Sequence, residues 1–188
     1  MRSEVTFMTA RSNVSSPSPR GTCFEKFGIK VAHLDNEVVN LALSFNPPIV
    51  DAEKERRHVA DTLNKIYIES FDNAALGDLL AGAGGDPKNL RSLKRLQGVL
   101  ESIANGADIP KLLSPFYVLY DLRVAYSHLT SAETAKDILE SVTGRLGLDA
   151  GAGMLEIYSR LLQELTSSFE KLTAIVKAEV TADGNELG

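Results

Sequence analysis

Within LYDLRVAYSHL, residues 119–129, Arg123 and His128 stand five positions apart in a stretch that is otherwise mostly apolar and aromatic. These two side-chain types suffice, in principle, to cut RNA without a metal. The reaction needs a base to take the proton of the 2′-hydroxyl and a cation to hold the phosphate as charge builds on its oxygens. An imidazole titrating near neutrality suits the first task, and a planar guanidinium fork suits the second. Tyr126 and Ser127 lie between the pair and are candidates to touch a phosphate or a base, although a tyrosine at this spacing is also a natural core residue. The plainer alternative makes His128 a helix-end histidine on terminal carbonyls. Arg123 is then the partner of Asp121 of a neighbour or of Glu133.

Spacing constrains how the two could work together. Five steps of a helix leave their side chains roughly 140 degrees apart, so they do not share one face. Either the helix loosens before His128, or the residues meet across a two-fold axis, the arginine of one subunit beside the histidine of the other. The second solution ties catalysis to a homodimer.

The motif also carries a resemblance. R-x4-H, placed late in an apolar helix of an all-helical chain, is similar to the R-x4 to 6-H signature of HEPN domains, and the resemblance spans roughly residues 51–178. It implies a helical bundle, a homodimer with two motif copies around one cleft, and metal-independent endoribonuclease activity of the kind found in toxin-antitoxin and abortive-infection defence. It implies a regulatory antitoxin or partner domain as well. Other members of that family are non-catalytic binding or dimerisation modules. Many carry a polar residue directly after the arginine, where this chain has Val124.

A second cluster bears on substrate. Lys88, Arg91 and Arg95 follow i, i+3, i+7 spacing, with Lys94 beside them, and would form a cationic stripe opposite the leucines of one helix. Such a stripe could guide RNA; it could equally be the solvated face of an amphipathic helix. Arg56, Arg57 and His58 form a smaller cluster with the same two readings. The net charge of −5 gives no global attraction for a polyanion, so nucleic-acid contact must be local.

Other chemistries find no footing. GAGGDPKN and GLDAGAG follow no clear strand and match no phosphate-binding fingerprint, so both read as linkers. The three histidines, His33, His58 and His128, have no metal-ligand spacing, and Cys23 is the only cysteine. No metal and no cofactor are expected, nor a G-x-S-x-G elbow. No window is apolar for long enough to span a bilayer, and the first twenty residues lack the apolar core of a signal peptide. A cytoplasmic protein without membrane contact is the expectation.

The elements that must position these residues follow from periodicity. Residues 1–50 form an N-terminal segment: a Ser/Pro/Arg/Gly-rich linker, then FEKFGIKV and EVVNLALSF. In the latter Val39, Leu41, Leu43 and Phe45 alternate, so a short β-hairpin is expected, either an ordering arm or the end of a larger domain. Residues 51–178 read as a mainly α bundle of four to five helices. Asp51 caps the first helix, with Val59, Leu63, Ile66 and Tyr67 as its apolar stripe. AALGDLLAG makes a weaker piece. Asp86-Pro87 starts a helix carrying Leu90, Leu93, Leu96, Val99, Leu100 and Ile103, and Ser114-Pro115 starts the one that holds Arg123. Thr130 and Glu133 have capping-box spacing for a helix to about Val142. The last helix runs from about Met154 to Lys177 and buries Leu155, Tyr158, Leu162, Leu165, Phe169, Leu172 and Val176. Residues 179–188 read as a polar tail.

Overall fold

The computed structural model describes residues 35–104, 106–127 and 130–183. Seven α-helices are present among them: α1 (Asp35–Ser44), α2 (Glu53–Asn64), α3 (Asn73–Gly82), α4 (Ser92–Ile103), α5 (Ile109–Ser127), α6 (Ala132–Leu146) and α7 (Met154–Asp183). A π-turn, Lys65–Glu69, continues α2. The mainly helical class expected from the sequence is therefore observed, and there is no strand among the described residues.

The expected hairpin is corrected in its second half. Residues 37–45 belong to α1 and the turn after it, while FEKFGIKV lies outside the described residues. The same letters carry two periods. Val38, Leu41, Ala42 and Phe45 stand at i, i+3, i+4, i+7 and pack against the core, whereas Val39 and Leu43 are 47% and 66% exposed. The helical register buries four apolar groups, and the alternating register had mixed buried and exposed ones.

α5 is the hub. It packs against α2, α4, α6 and α7, and burial on so many sides explains why its sequence is apolar nearly all round. Ile109, Leu113, Phe116, Val118, Leu119 and Leu122 lie in the core, where Phe116 meets Phe169 edge-on at 5.1 Å. Its start is six residues earlier than Pro115 predicts. Asp108 supplies the real start signal: its carboxylate accepts from the Lys111 amide at 3.1 Å, and Pro110 sits in the first turn, where no amide is missed. Pro115 is carried inside the helix, and the burial of Ile109 and Leu113 outweighs the one backbone bond it forfeits.

Other boundaries move as well, and α7 runs on to Asp183, past the expected Lys177. α4 begins at Ser92 rather than after Pro87, because Asp86 is spent on a local turn, accepting from the Lys88 amide at 3.0 Å, and Asn89 takes φ +60. The cap of α6 is Ser131, one residue after Thr130, and α6 continues past Val142 to Leu146, where Gly147 at φ +66 ends it. α2 is capped by Ala52 without a side-chain bond. Asp51 instead accepts from the Met154 amide at 3.0 Å and from Arg56 at 2.5 Å, tying the start of α2 to the start of α7. α7 buries the expected stripe except Leu155, which is 44% exposed, and Leu162, which is half-buried.

Candidate functional site

Arg123 lies on the last part of α5, half-buried, with its side chain turned toward α2 and the π-turn. Nε donates to Asp61 at 3.4 Å and Nη1 pairs with Glu69 at 3.2 Å. Within the chain Asp121 pairs with Arg145 from α6, and no ion pair joins Arg123 to Glu133 among the described residues. Both carboxylates come from α2 and the π-turn, far from Arg123 in sequence, which local spacing could not reveal. His128, the other half of the motif, lies outside the described residues.

The π-turn makes this arrangement possible. In an α-helix, residues five apart diverge, whereas the wider i→i+5 turn brings them into line. Asn64 and Glu69 are such a pair, and the Asn64 amide donates to the Glu69 carboxylate at 2.8 Å. Asp61, Arg123, Glu69 and Asn64 thus form one chain of polar contacts. Asn64 is only 1% exposed, and its Oδ1 has no hydrogen-bond partner among the described residues, a cost that a buried carbonyl seldom carries without cause.

Asn64, Glu69 and Arg123 of this network form one wall of a groove of about 560 Å³ lined by residues 64, 68, 69, 89–94, 117, 120 and 123. The opposite wall is the beginning of α4. Arg91 and Lys94 bring two cations to it; Lys94 donates to Gln97 at 3.1 Å and stands 5.3 Å from the ring centre of Tyr117. Neither cation has a carboxylate partner among the described residues. Tyr117 and Tyr120 contribute aromatic surface, the former fixed by its hydroxyl to Gln97 at 3.0 Å.

The structure separates the cations grouped from the sequence. Arg91 reaches the groove. Lys88 sits in the turn before α4, exposed and outside the groove lining. Arg95 turns inward instead: Nη1 donates to the Asn73 carbonyl at 2.5 Å and Nη2 to the Pro87 carbonyl at 3.0 Å. Gly77 leaves room for it, since a Cβ there would come within 2.8 Å of Nη1. The expected stripe is therefore not a continuous surface, because α4 starts too late to carry Lys88 and Arg95 is used to clamp the α3–α4 connection.

Tyr126 packs against the core, and burial pushes its phenol up, opposed by nearby Arg56 and reinforced by Asp51. Its carbonyl accepts from Arg57 Nε at 3.3 Å. Ser127 Oγ is buried without a partner among the described residues. Neither lines the groove. Sequence reasoning missed Asn64 and Glu69 because nothing in KIYIE announces a π-turn, and it missed Tyr117 and Tyr120 because an aromatic on a largely apolar helix reads as core. The Asn64-to-Glu69 spacing becomes informative only once that turn is known. No cluster of three or more potential metal-ligating side chains occurs among the described residues, and no helix there is long and apolar enough to cross a membrane. No family model matches the chain, and no curated protein or solved structure is significantly similar to it.

Proposed function

We propose that the chain is a metal-independent endoribonuclease of HEPN type, acting as a homodimer in the cytoplasm, with Arg123 binding the scissile phosphate and His128 transferring the proton. A role in toxin-antitoxin or anti-phage defence, with a protein partner holding it silent, belongs to the same reading. The observation that supports it best is the state of Arg123. Its guanidinium is oriented by two carboxylates, its side chain is 32% exposed at the side of a groove, and Nη2 has no partner among the described residues. A guanidinium held in place with one edge free is preorganised to receive a phosphate oxygen.

The test is cleavage of mixed RNAs with a chelator present. His128→Ala and Arg123→Ala are each expected to abolish cutting while helix content and dimer mass stay as in the parent. Persistence of cutting in both variants removes the assignment. A second reading draws on the same ion pairs: Asp61 and Glu69 give Arg123 a structural purpose, so the bundle would serve as a non-catalytic dimerisation or docking module. Absence of any RNA cleavage by the parent chain, together with a stable complex with a partner protein, favours that reading.

A further inference from the structure

We infer that the charged outer row of α2 is the face on which two copies of this chain pair, antiparallel about a two-fold axis that passes between Arg57 and Asp61. The inference deepens the nuclease reading and rests on it for the choice of a second copy as the partner.

The face is defined by charge. Val59, Ala60, Thr62, Leu63 and Asn64 of α2 are buried, which leaves Glu53, Arg57 and Asp61, at four-residue spacing, in a row on the outside. Lys65, the first residue of the π-turn, is exposed and extends the row. Its signs alternate: minus, plus, minus, plus. Two such rows laid parallel about a two-fold axis set each charge against its own kind. Laid antiparallel, they set Arg57 against the partner subunit's Asp61 and Glu53 against the partner subunit's Lys65, each twice. Rows of this spacing slant across a helix, so the two α2 helices cross at about 50 degrees with the Arg57 and Asp61 pairs nearest the axis.

The groups that one chain leaves over fit this pairing. Arg57 gives Nε to the Tyr126 carbonyl and Nη2 to Glu53, and its Nη1 has no partner among the described residues. Asp61 accepts from Arg123 on Oδ1, and neither its Oδ2 nor Lys65 Nζ has a partner among the described residues. A second copy can therefore engage these atoms without breaking a bond within either chain. In the connector that leads into α2, Ile49 and Val50 are 86% and 56% exposed, apolar surface beside the start of the row of the kind that an interface covers.

The same pairing links the two ends of the motif. Within one chain Arg57 holds the Tyr126 carbonyl and Asp61 holds Arg123. Contact between Arg57 and the partner subunit's Asp61 then makes an unbroken run of polar contacts from Tyr126 to the partner subunit's Arg123. His128 follows Tyr126 by two residues in the sequence. An axis chosen by the charge row alone thus brings the arginine of one subunit to the end of α5 that precedes the histidine of the other.

The experiment measures the dimer mass of the full chain by sedimentation over a range of concentrations. Glu53→Lys and Lys65→Glu, both at exposed positions, each set like charges face to face twice, and each is expected to weaken the dimer by on the order of ten-fold. An equimolar mixture of the two variants should regain dimer mass, because a mixed dimer restores an opposite charge at every position. Added salt should weaken the parent dimer. Lys136→Glu, the same charge change on α6, should leave it unchanged. Single variants that dimerise like the parent, a mixture that stays monomeric, or a monomeric parent overturns the inference. The two ideas fail separately. Charge-dependent pairing without any RNA cleavage by the parent chain removes the nuclease alone, and His128-dependent cleavage by a chain whose pairing ignores these changes removes the α2 interface alone.

Discussion

Tyr158 shows how single atoms report on this fold. Its ring packs within the core and near Phe45, at 6.3 Å between centres, while its hydroxyl is buried without a partner among the described residues. Burial pushes the phenol up to about 12 from 10.0, so the folded state resists its ionisation. Tyr158→Phe removes an unsatisfied group without opening a cavity and is expected to raise stability by about 1 kcal/mol in urea unfolding. The pH dependence has a definite sign: below the unfolded value both states are neutral. As pH climbs from 10.0 toward about 12 the unfolded chain ionises first, and stability is lost. The variant should lack this part of the alkaline loss. Arg95 makes the opposite case. Arg95→Ala strips two bonds from the carbonyls of Asn73 and Pro87 and is expected to lower stability by about 1–3 kcal/mol while leaving RNA affinity of the folded protein unchanged. An unaltered melting curve with weakened RNA binding would restore Arg95 to the surface role its spacing suggests. Its actual role was hidden because its partners are backbone atoms, which leave no mark on side-chain pattern.

At the scale of elements, apolar periodicity was the dependable signal and terminal residues were not. The stripes of α2 and α4 are buried largely as their spacing predicts, since 3.6-residue repetition reports directly on which face meets the core. The start signals failed where a cap residue had something better to do: Asp86 turns back on Lys88, and Asp51 reaches across to α7. α1 and the π-turn were illegible for a different reason. Each depends on a choice between two geometries that the residues tolerate alike, and packing decides. The Asp51 bridge is testable through acid. The Met154 amide first, then Arg56, hold its carboxyl below the ordinary 3.8, against the upward pull of burial. A carboxyl depressed in the folded state stabilises above the unfolded value, and that contribution disappears as pH falls through the folded one. Asp51→Asn should therefore lose less unfolding free energy than the parent between about pH 5 and pH 3, measured by urea titration at each pH. Parallel acid profiles for the two proteins would show that the bridge carries no linked stability.

For the whole molecule the sequence offered a class and a motif, and the structure supplies the surroundings of half that motif. Arg123 is anchored to α2 and the π-turn of its own chain, so its position is fixed by the bundle rather than by a partner. If the proposed nuclease activity exists, the two-fold arrangement is the step on which it turns, and subunit mixing isolates that step. Arg123→Ala and His128→Ala proteins, each inactive alone, are to be combined under conditions where subunits exchange. If an active pair consists of the arginine of one subunit and the histidine of the other, a mixed dimer contains one intact pair and one doubly empty pair. Random exchange makes half of all dimers mixed, so activity should return to about a quarter of the parent value. If each pair is built within one chain, a mixed dimer contains no intact pair, and the mixture stays silent however completely it exchanges. Recovered activity that rises with exchange time would establish the shared cleft. Silence, with exchange confirmed by mass, would remove the shared cleft, and with α5 helical through Ser127 it would leave the proposed pairing of Arg123 with His128 without a geometry.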